Sequence, residues 1–312
     1  EGELVGGAEF EEMECQAYRV ALDVQPELGY HRLVLLEEGN DEPLATMRLI
    51  VAPKSCYKQA PIANGRKVWG PSVQLYCLRS RHNWGIGDFS DLGQLVEKAA
   101  AWGAHFVGLN PIHALYPANP ESASPYSPSS RRWLNVAYIN VEAVPEFLAN
   151  ERLKADVASP AFQQHLASLR AKENVDYTGV IQTKIGMLRQ VFDEARLSTE
   201  RQAAFDAFVA AGGDSLQQQA AFDALQAHFY GKGENAWGWP VWPDAFRDYH
   251  NPEVAAWMAE HQQDVNFYLY LQFLADEQLA QADARAKAAG MVMGIYRDLA
   301  VGVSEGSTEI WA

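Results

Sequence analysis

Three carboxylates near the end of the 312-residue chain are its best-placed chemical groups: Asp298, Glu305 and Glu309. Asp298 closes an apolar run over residues 290–297, and the two glutamates follow it by seven and eleven residues. Glycosidic cleavage with retained configuration needs a nucleophilic carboxylate and a separate acid/base about 5 Å apart. A local reading nominates Asp298 and Glu305 as such a pair. A second feature is the loop Asn83-Trp84-Gly85-Ile86-Gly87-Asp88, which follows an apolar stretch. Gly85-x-Gly87 suggests a phosphate cradle, but the third position of the dinucleotide fingerprint is Ser90, and no acidic residue ends a second strand at the required distance. The other reading is a tight glycine turn with Asp88 capping the helix that follows.

Other chemistries find less support. The eight histidines include no HExxH and no pair sharing a helix face with a third ligand, so no metal is expected. Cys15, Cys56 and Cys77 are odd in number and lack CxxC spacing, which reads as reduced thiols in a cytoplasmic protein. The formal charge of −15, with no basic patch, disfavours nucleic acid and anionic lipid as partners. No run approaches the ~18 apolar residues of a membrane helix. With 48% hydrophobic and 21% charged residues the chain has ample core material.

The elements that must position these groups follow from periodicity. Residues 18–24 and 31–36 alternate polar and apolar, with further strand candidates at 44–49 and 50–52, so residues 1–60 read as an N-terminal β domain of sandwich type. Residues 53–66 form the linker. Residues 73–76 read as a strand; Leu92, Leu95, Val96, Ala99 and Trp102 mark a helix with Asp88 or Ser90 at its entry and Gly103 at its exit; residues 105–109 give a second strand. Residues 61–118 thus hold one right-handed βαβ unit. Residues 119–264 read as a mostly helical insertion broken at Gly212-Gly213. Residues 265–312 supply a helix and a third parallel strand. Three strands cannot close a barrel, so the fold class is α/β, part of something larger. Both chain ends read as cut.

The stretch over residues 70–117, GPSVQLYCLRSRHNWGIGDFSDLGQLVEKAAAWGAHFVGLNPIHALYP, resembles the opening of the catalytic barrel in the 4-alpha-glucanotransferases (amylomaltase, or disproportionating enzyme) of the alpha-amylase superfamily. The resemblance continues through Ser124-Pro125-Tyr126-Ser127-Pro128-Ser129-Ser130, Val175-Asp176-Tyr177, Trp237-Gly238-Trp239-Pro240, the segment 267–272 and residues 298–311. It implies the first three strands of a (β/α)8 TIM barrel, with a large insertion after strand two. It implies an enzyme that transfers α-1,4-glucan segments between maltodextrins by double displacement, without a cofactor. The family's nucleophile lies in Arg-x-Asp-His on a fourth strand and its acid/base on a fifth. Neither is in this chain, and Arg247-Asp248-Tyr249-His250 has the wrong spacing. The chain alone is therefore expected to be inactive. Many relatives carry Asp where Gly306 stands, so a sugar contact at 306 is not carried over.

A sugar presents an apolar C–H face, which a rigid aromatic ring can cover. The resemblance makes Tyr126 the ring beside the cleavage point, with Ser124, Asp298, Trp84 and Trp239 as further substrate contacts. Trp237, Trp239 and Trp242 within six residues read equally well as a sugar platform or as a hydrophobic anchor, and Trp84 and Trp133 share that ambiguity. The expected partners are α-1,4-glucan oligosaccharides, with self-association or association with a C-terminal part to cover the open barrel. A non-catalytic glucan-binding module, a related α-glucan hydrolase and a nucleotide-dependent α/β enzyme are the competing readings.

Overall fold

The computed structural model describes residues 2–10, 13–233 and 237–312, which fall into two compact units divided between Arg66 and Lys67. In the first unit β1 (Glu3–Phe10) pairs antiparallel with β2 (Met13–Arg19), and β3 (Gly29–Leu36) with β4 (Pro43–Val51). A single helical turn, α1 (Ala60–Ala63), lies in the segment read as a linker. The alternation over residues 18–24 mostly falls outside strand, since β2 ends at Arg19, and the two candidates at 44–52 merge into β4. No described residue of this unit is buried. Two separate hairpins turn their apolar side chains, Tyr30 and Met47 among them, to solvent.

The second unit is built on a three-stranded parallel sheet. Strand β5 (Ser72–Val73) is shorter than the expected 73–76. The Leu75 N–H leaves the ladder to donate to Asn110 Oδ1 at 2.8 Å, and Leu75–Cys77 close a 3₁₀ turn. Helix α2 (Phe89–Ala101) starts at Asp88, whose side chain accepts from the Ser90 and Asp91 N–H groups while Asp91 answers to the Asp88 N–H, a reciprocal cap. Leu92, Val96 and Ala99 are buried as the spacing predicts, but Trp102 is 69% exposed. Strand β6 (Phe106–Leu109) then pairs parallel with β5.

A short antiparallel pair follows, β7 (His113–Ala114) with β8 (Ser130–Leu134). Helices α3 (Pro145–Leu148), α4 (Glu151–Ala158), α5 (Pro160–Arg170), α6 (Tyr177–Glu194) and α7 (Thr199–Gly231) come next. α7 is broken at Gly213, whose φ of +54° and ψ of −151° are outside the helical range. α8 (Pro252–Glu260) and the long α9 (Gln262–Ala288) lead back to the sheet. α9 packs on α2 and α7, and Arg201 of α7 ties Glu146 of α3 (2.6 Å) and Glu277 of α9 into one ionic group. Strand β9 (Gly294–Arg297) pairs parallel with β6, so the third strand lies where the apolar run 290–297 puts it. α10 (Thr308–Trp311) ends the chain. Among the described residues no helix is long and apolar enough to cross a membrane.

Candidate functional site

The carboxyl ends of β5, β6 and β9 open onto a cleft of about 710 Å³, whose walls include Gln74, Cys77, Asn110, Tyr126, Tyr296 and Asp298. Ligands of α/β folds bind at this end of the strands, where loops rather than ladder hydrogen bonds set the side chains. Asn110, 7% exposed, organises the edge: its amide donates to the Pro111 carbonyl (2.7 Å) and its carbonyl holds Leu75. Tyr126 is 60% exposed, and its hydroxyl donates to Asp298 Oδ2 at 3.3 Å. The other carboxylate oxygen of Asp298 accepts from the Leu299 N–H at 2.9 Å. The structure therefore brings two of the sequence-nominated residues, Tyr126 and Asp298, to one place.

A neighbouring hollow of about 270 Å³ is lined by Tyr116, Ser124, Trp237, Ser304 and Gly306, among others. Ser124 lies here rather than in the larger cleft. Trp239 is half-buried and its indole N–H is committed to the Glu305 carbonyl at 3.1 Å. A Cβ on Gly306 would come within 2.8 Å of the Trp237 ring, so a larger residue there would displace that ring.

The remaining nominations fare differently. Trp84 is 2% exposed, sits edge-on to Phe162, and donates its N–H to Glu142 at 2.9 Å. It packs the core and offers no face to a ligand. Trp242, 1% exposed between Phe222, Phe229 and Trp311, is likewise an anchor and not a platform. Trp133 takes the same part through Ser215. The Gly85–Gly87 loop is also no phosphate cradle: Ile86 is fully buried, and Cβ atoms on Gly85 and Gly87 would meet Leu169 at 2.9 Å and the Leu75 carbonyl at 2.0 Å. Its glycines exist for close packing beneath the cap at Asp88.

Asp298 and Glu305 do not share a hollow: the cleft that Asp298 lines excludes Glu305, whose side chain is exposed. Glu309 is structural. Its carboxylate takes two hydrogen bonds from the Arg131 guanidinium (2.8 and 3.1 Å), while Arg131 also donates to the Val301 carbonyl. Burial works to raise the Glu309 carboxyl, but the bonds from Arg131 outweigh it and hold it below the usual range. His113 accepts from the Ala300 N–H at 3.2 Å; burial, then the nearby Arg297 charge, lower its basicity, which suits an acceptor nitrogen. These contacts staple the segment after β9, and with it Asp298, to the β7–β8 pair. Among the described residues no three His, Cys, Asp or Glu side chains gather as a metal set.

Sequence reasoning did not single out Tyr296, Asn110 or Tyr116 as site residues. For Tyr296 a signal existed: it stands two residues before Asp298 on a strand, and so on the same face.

A parallel α/β sheet with a tyrosine and a carboxylate in the cleft at its carboxyl edge defines the general class. The chain belongs to the 4-alpha-glucanotransferase family, whose sequence profile matches residues 73–312. The profile of the MalQ N-terminal beta sandwich domain matches residues 1–53. A 4-alpha-glucanotransferase of Haemophilus influenzae is 37% identical over 292 residues, covering 91% of this chain and 41% of that protein. One of Mycobacterium tuberculosis is 38% identical over 298 residues, covering 91% and 38%. Among solved structures, amylomaltase from Corynebacterium glutamicum matches 98% of this chain and 40% of its own at a TM-score of 0.74 and 32% identity. The amylomaltase from Streptococcus agalactiae in complex with acarbose shares the fold at 17% identity and a TM-score of 0.62. The chain thus spans about two fifths of the length of the first of these relatives.

Proposed function

We propose that this chain is the N-terminal part of a cytoplasmic 4-alpha-glucanotransferase and forms one wall of its glucan cleft. The whole enzyme transfers an α-1,4-glucan segment to the 4-hydroxyl of a second glucan through a glycosyl-enzyme intermediate. The observation that carries the reading is the Tyr126–Asp298 hydrogen bond at the carboxyl edge of β5, β6 and β9, in a chain of this family. In the proposal these are the first three strands of a (β/α)8 barrel; residues 119–264 are its insertion, and the open sheet is covered by further chain or by a second molecule.

The geometry supports binding more than bond making. A retaining mechanism needs two carboxylates facing one bond, and the cleft holds Asp298 without Glu305. Tyr126 supplies a rigid ring for the apolar face of a glucose unit, and Asp298 supplies an acceptor for its hydroxyls while fixing the tyrosine. Acid/base work and oxocarbenium stabilisation fall to carboxylates on later strands. Neither an organic cofactor nor a metal has a part in this scheme.

Maltotriose is incubated with this chain and with a protein extended to the length of the relatives, and the products are separated by chromatography. Glucose with longer maltodextrins from the extended protein alone supports the proposal. Glucose and maltose without longer products mark a hydrolase. Binding without turnover in both marks a glucan-binding module. Turnover by the 312-residue chain itself returns Asp298 and Glu305 to candidacy as the catalytic pair.

A further inference from the structure

Beneath the smaller hollow lies a buried polar stripe that the glucan reading leaves unexplained. Gln219, Asp223 and Gln226 follow one another at i, i+4 and i+7 on α7, past the break at Gly213, and therefore share one helix face. They are 0%, 3% and 0% exposed. Gln219 donates its amide to Asp223 Oδ2 at 3.0 Å, and Gln226 donates its amide to the Trp237 carbonyl at 3.1 Å. Among the described residues, three oxygens on this face, Gln219 Oε1, Asp223 Oδ1 and Gln226 Oε1, find no hydrogen-bond partner. A buried acceptor without a donor is costly, and here three acceptors stand together.

The stripe touches the hollow at two points. Gln226 holds the backbone of Trp237, whose ring lies against Gly306. The Asp223 charge acts on the Tyr116 phenol, whose ring packs on Phe222 and whose hydroxyl donates to the Pro128 carbonyl at 3.4 Å. Tyr116, Trp237, Ser304 and Gly306 are all walls of that hollow.

We propose that Asp223 is a positioning residue for this wall: its carboxylic acid O–H supplies the donor that the stripe lacks and leaves the Gln226 amide on Trp237, so glucan binding at the hollow depends on a proton that no sugar touches. The inference rests on the glucan reading for its ligand, not for the switch. An un-ionised Asp223 turns one of three stranded acceptors into a donor for Gln219 or Gln226. Ionised, it is a stronger acceptor than an amide carbonyl. It then competes for the Gln226 N–H three residues along the helix and loosens Trp237. Burial pushes the Asp223 carboxyl up to about 8, with only the Gln219 amide opposing. The titratable groups facing it are the Tyr116 phenol from the loop after β7 and the Tyr268 phenol from α9, both themselves raised by burial, and so neutral through this range.

The test measures maltoheptaose affinity of the chain from pH 6 to 9.5 by calorimetry, with tryptophan fluorescence followed over the same range without sugar. Wild type is expected to lose about fivefold in affinity above pH 8, the loss of roughly one net hydrogen bond. Asp223→Asn, which carries an N–H donor at every pH, is expected to keep the neutral-pH affinity throughout, and Asp223→Leu to bind weakly at every pH. The fluorescence step near pH 8 is expected in wild type and absent from both Asp223→Asn and Trp237→Phe. An alkaline loss that persists in Asp223→Asn overturns the proposal, as does a flat fluorescence profile in wild type. If wild type binds no maltoheptaose at pH 7 but the fluorescence step follows Asp223, the glucan reading fails and the switch stands.

Discussion

The Tyr126 hydroxyl and Asp298 Oδ2, 172 residues apart in the chain, meet at 3.3 Å. The contact joins the loop between β7 and β8 to the residue that follows β9, across the mouth of the parallel sheet. Because the ring is exposed and the hydroxyl is engaged, ring and hydroxyl have separable roles. Tyr126→Ala should weaken maltoheptaose binding about tenfold, since an aromatic ring supplies most of its energy through buried area and stacking. Tyr126→Phe should cost less than about threefold, because an exposed hydrogen bond contributes little net energy. Calorimetry on the two variants reads the difference; equal losses would make the hydroxyl, not the ring, the binding group.

A second prediction concerns Lys184 of α6, a buried cation whose ammonium donates to the Ala137 and Ile139 carbonyls at 2.7 and 2.8 Å. Burial lowers its pKa to about 8 and raises that of Asp88 to about 6, so for each group burial outweighs their mutual attraction. The lysine stabilises by satisfying carbonyls more than by its charge. Lys184→Met should lower stability by about 2–4 kcal/mol, since it strands two buried acceptors and removes the partner of Asp88. Urea midpoints measure it, and glucan affinity of the folded variant should not change.

What the sequence disclosed was local. The helix cap at Asp88, the break at Gly212-Gly213 and the strand that runs up to Asp298 each depend on residues within a few positions of one another, and each stands in the structure. The parts not legible depend on distant partners. Trp84 looked like a platform because its spacing says nothing of Glu142, 58 residues away, or of Phe162 at its edge. Strand β5 is cut short by Asn110, 35 residues on from Leu75. The first unit's strands show in their alternation, but not that its two hairpins bury none of their described residues. Tyr126 and Asp298 were nominated through family resemblance, and only the folded chain places them against each other.

The Arg131–Glu309 pair carries a third prediction. Arg131 holds the Glu309 carboxyl below its usual range against the opposing effect of burial, so this group stabilises the fold above the unfolded-state value near 4.5. That stability disappears as pH falls through the lower folded-state value. Arg131→Met should therefore flatten the acid limb of the stability curve. At neutral pH it should cost about 1 kcal/mol, the guanidinium being partly exposed to screening solvent. Because the pair staples the segment after β9, the variant should also weaken maltoheptaose binding, a loss that a purely peripheral ion pair would not produce.

Asp223 gives the fourth, in stability rather than binding. Burial pushes its carboxyl up to about 8 in the folded chain, against 3.8 for an aspartate in the unfolded chain. For an acid shifted upward the folded state holds the proton more tightly. Its stabilising contribution is complete below about 4, declines as the unfolded chain ionises first, and is gone once the folded group has ionised above about 8. Replacing it with an uncharged amide of the same shape removes that decline. Asp223→Asn should thus gain melting temperature relative to wild type as pH rises from 4 to 8, and the difference should level off beyond that. Melting curves at pH 4, 6, 8 and 9 decide the matter. A difference that stays constant across the series would mean that Asp223 is ionised in the folded chain throughout, and that the unpartnered oxygens of α7 are satisfied in some other way.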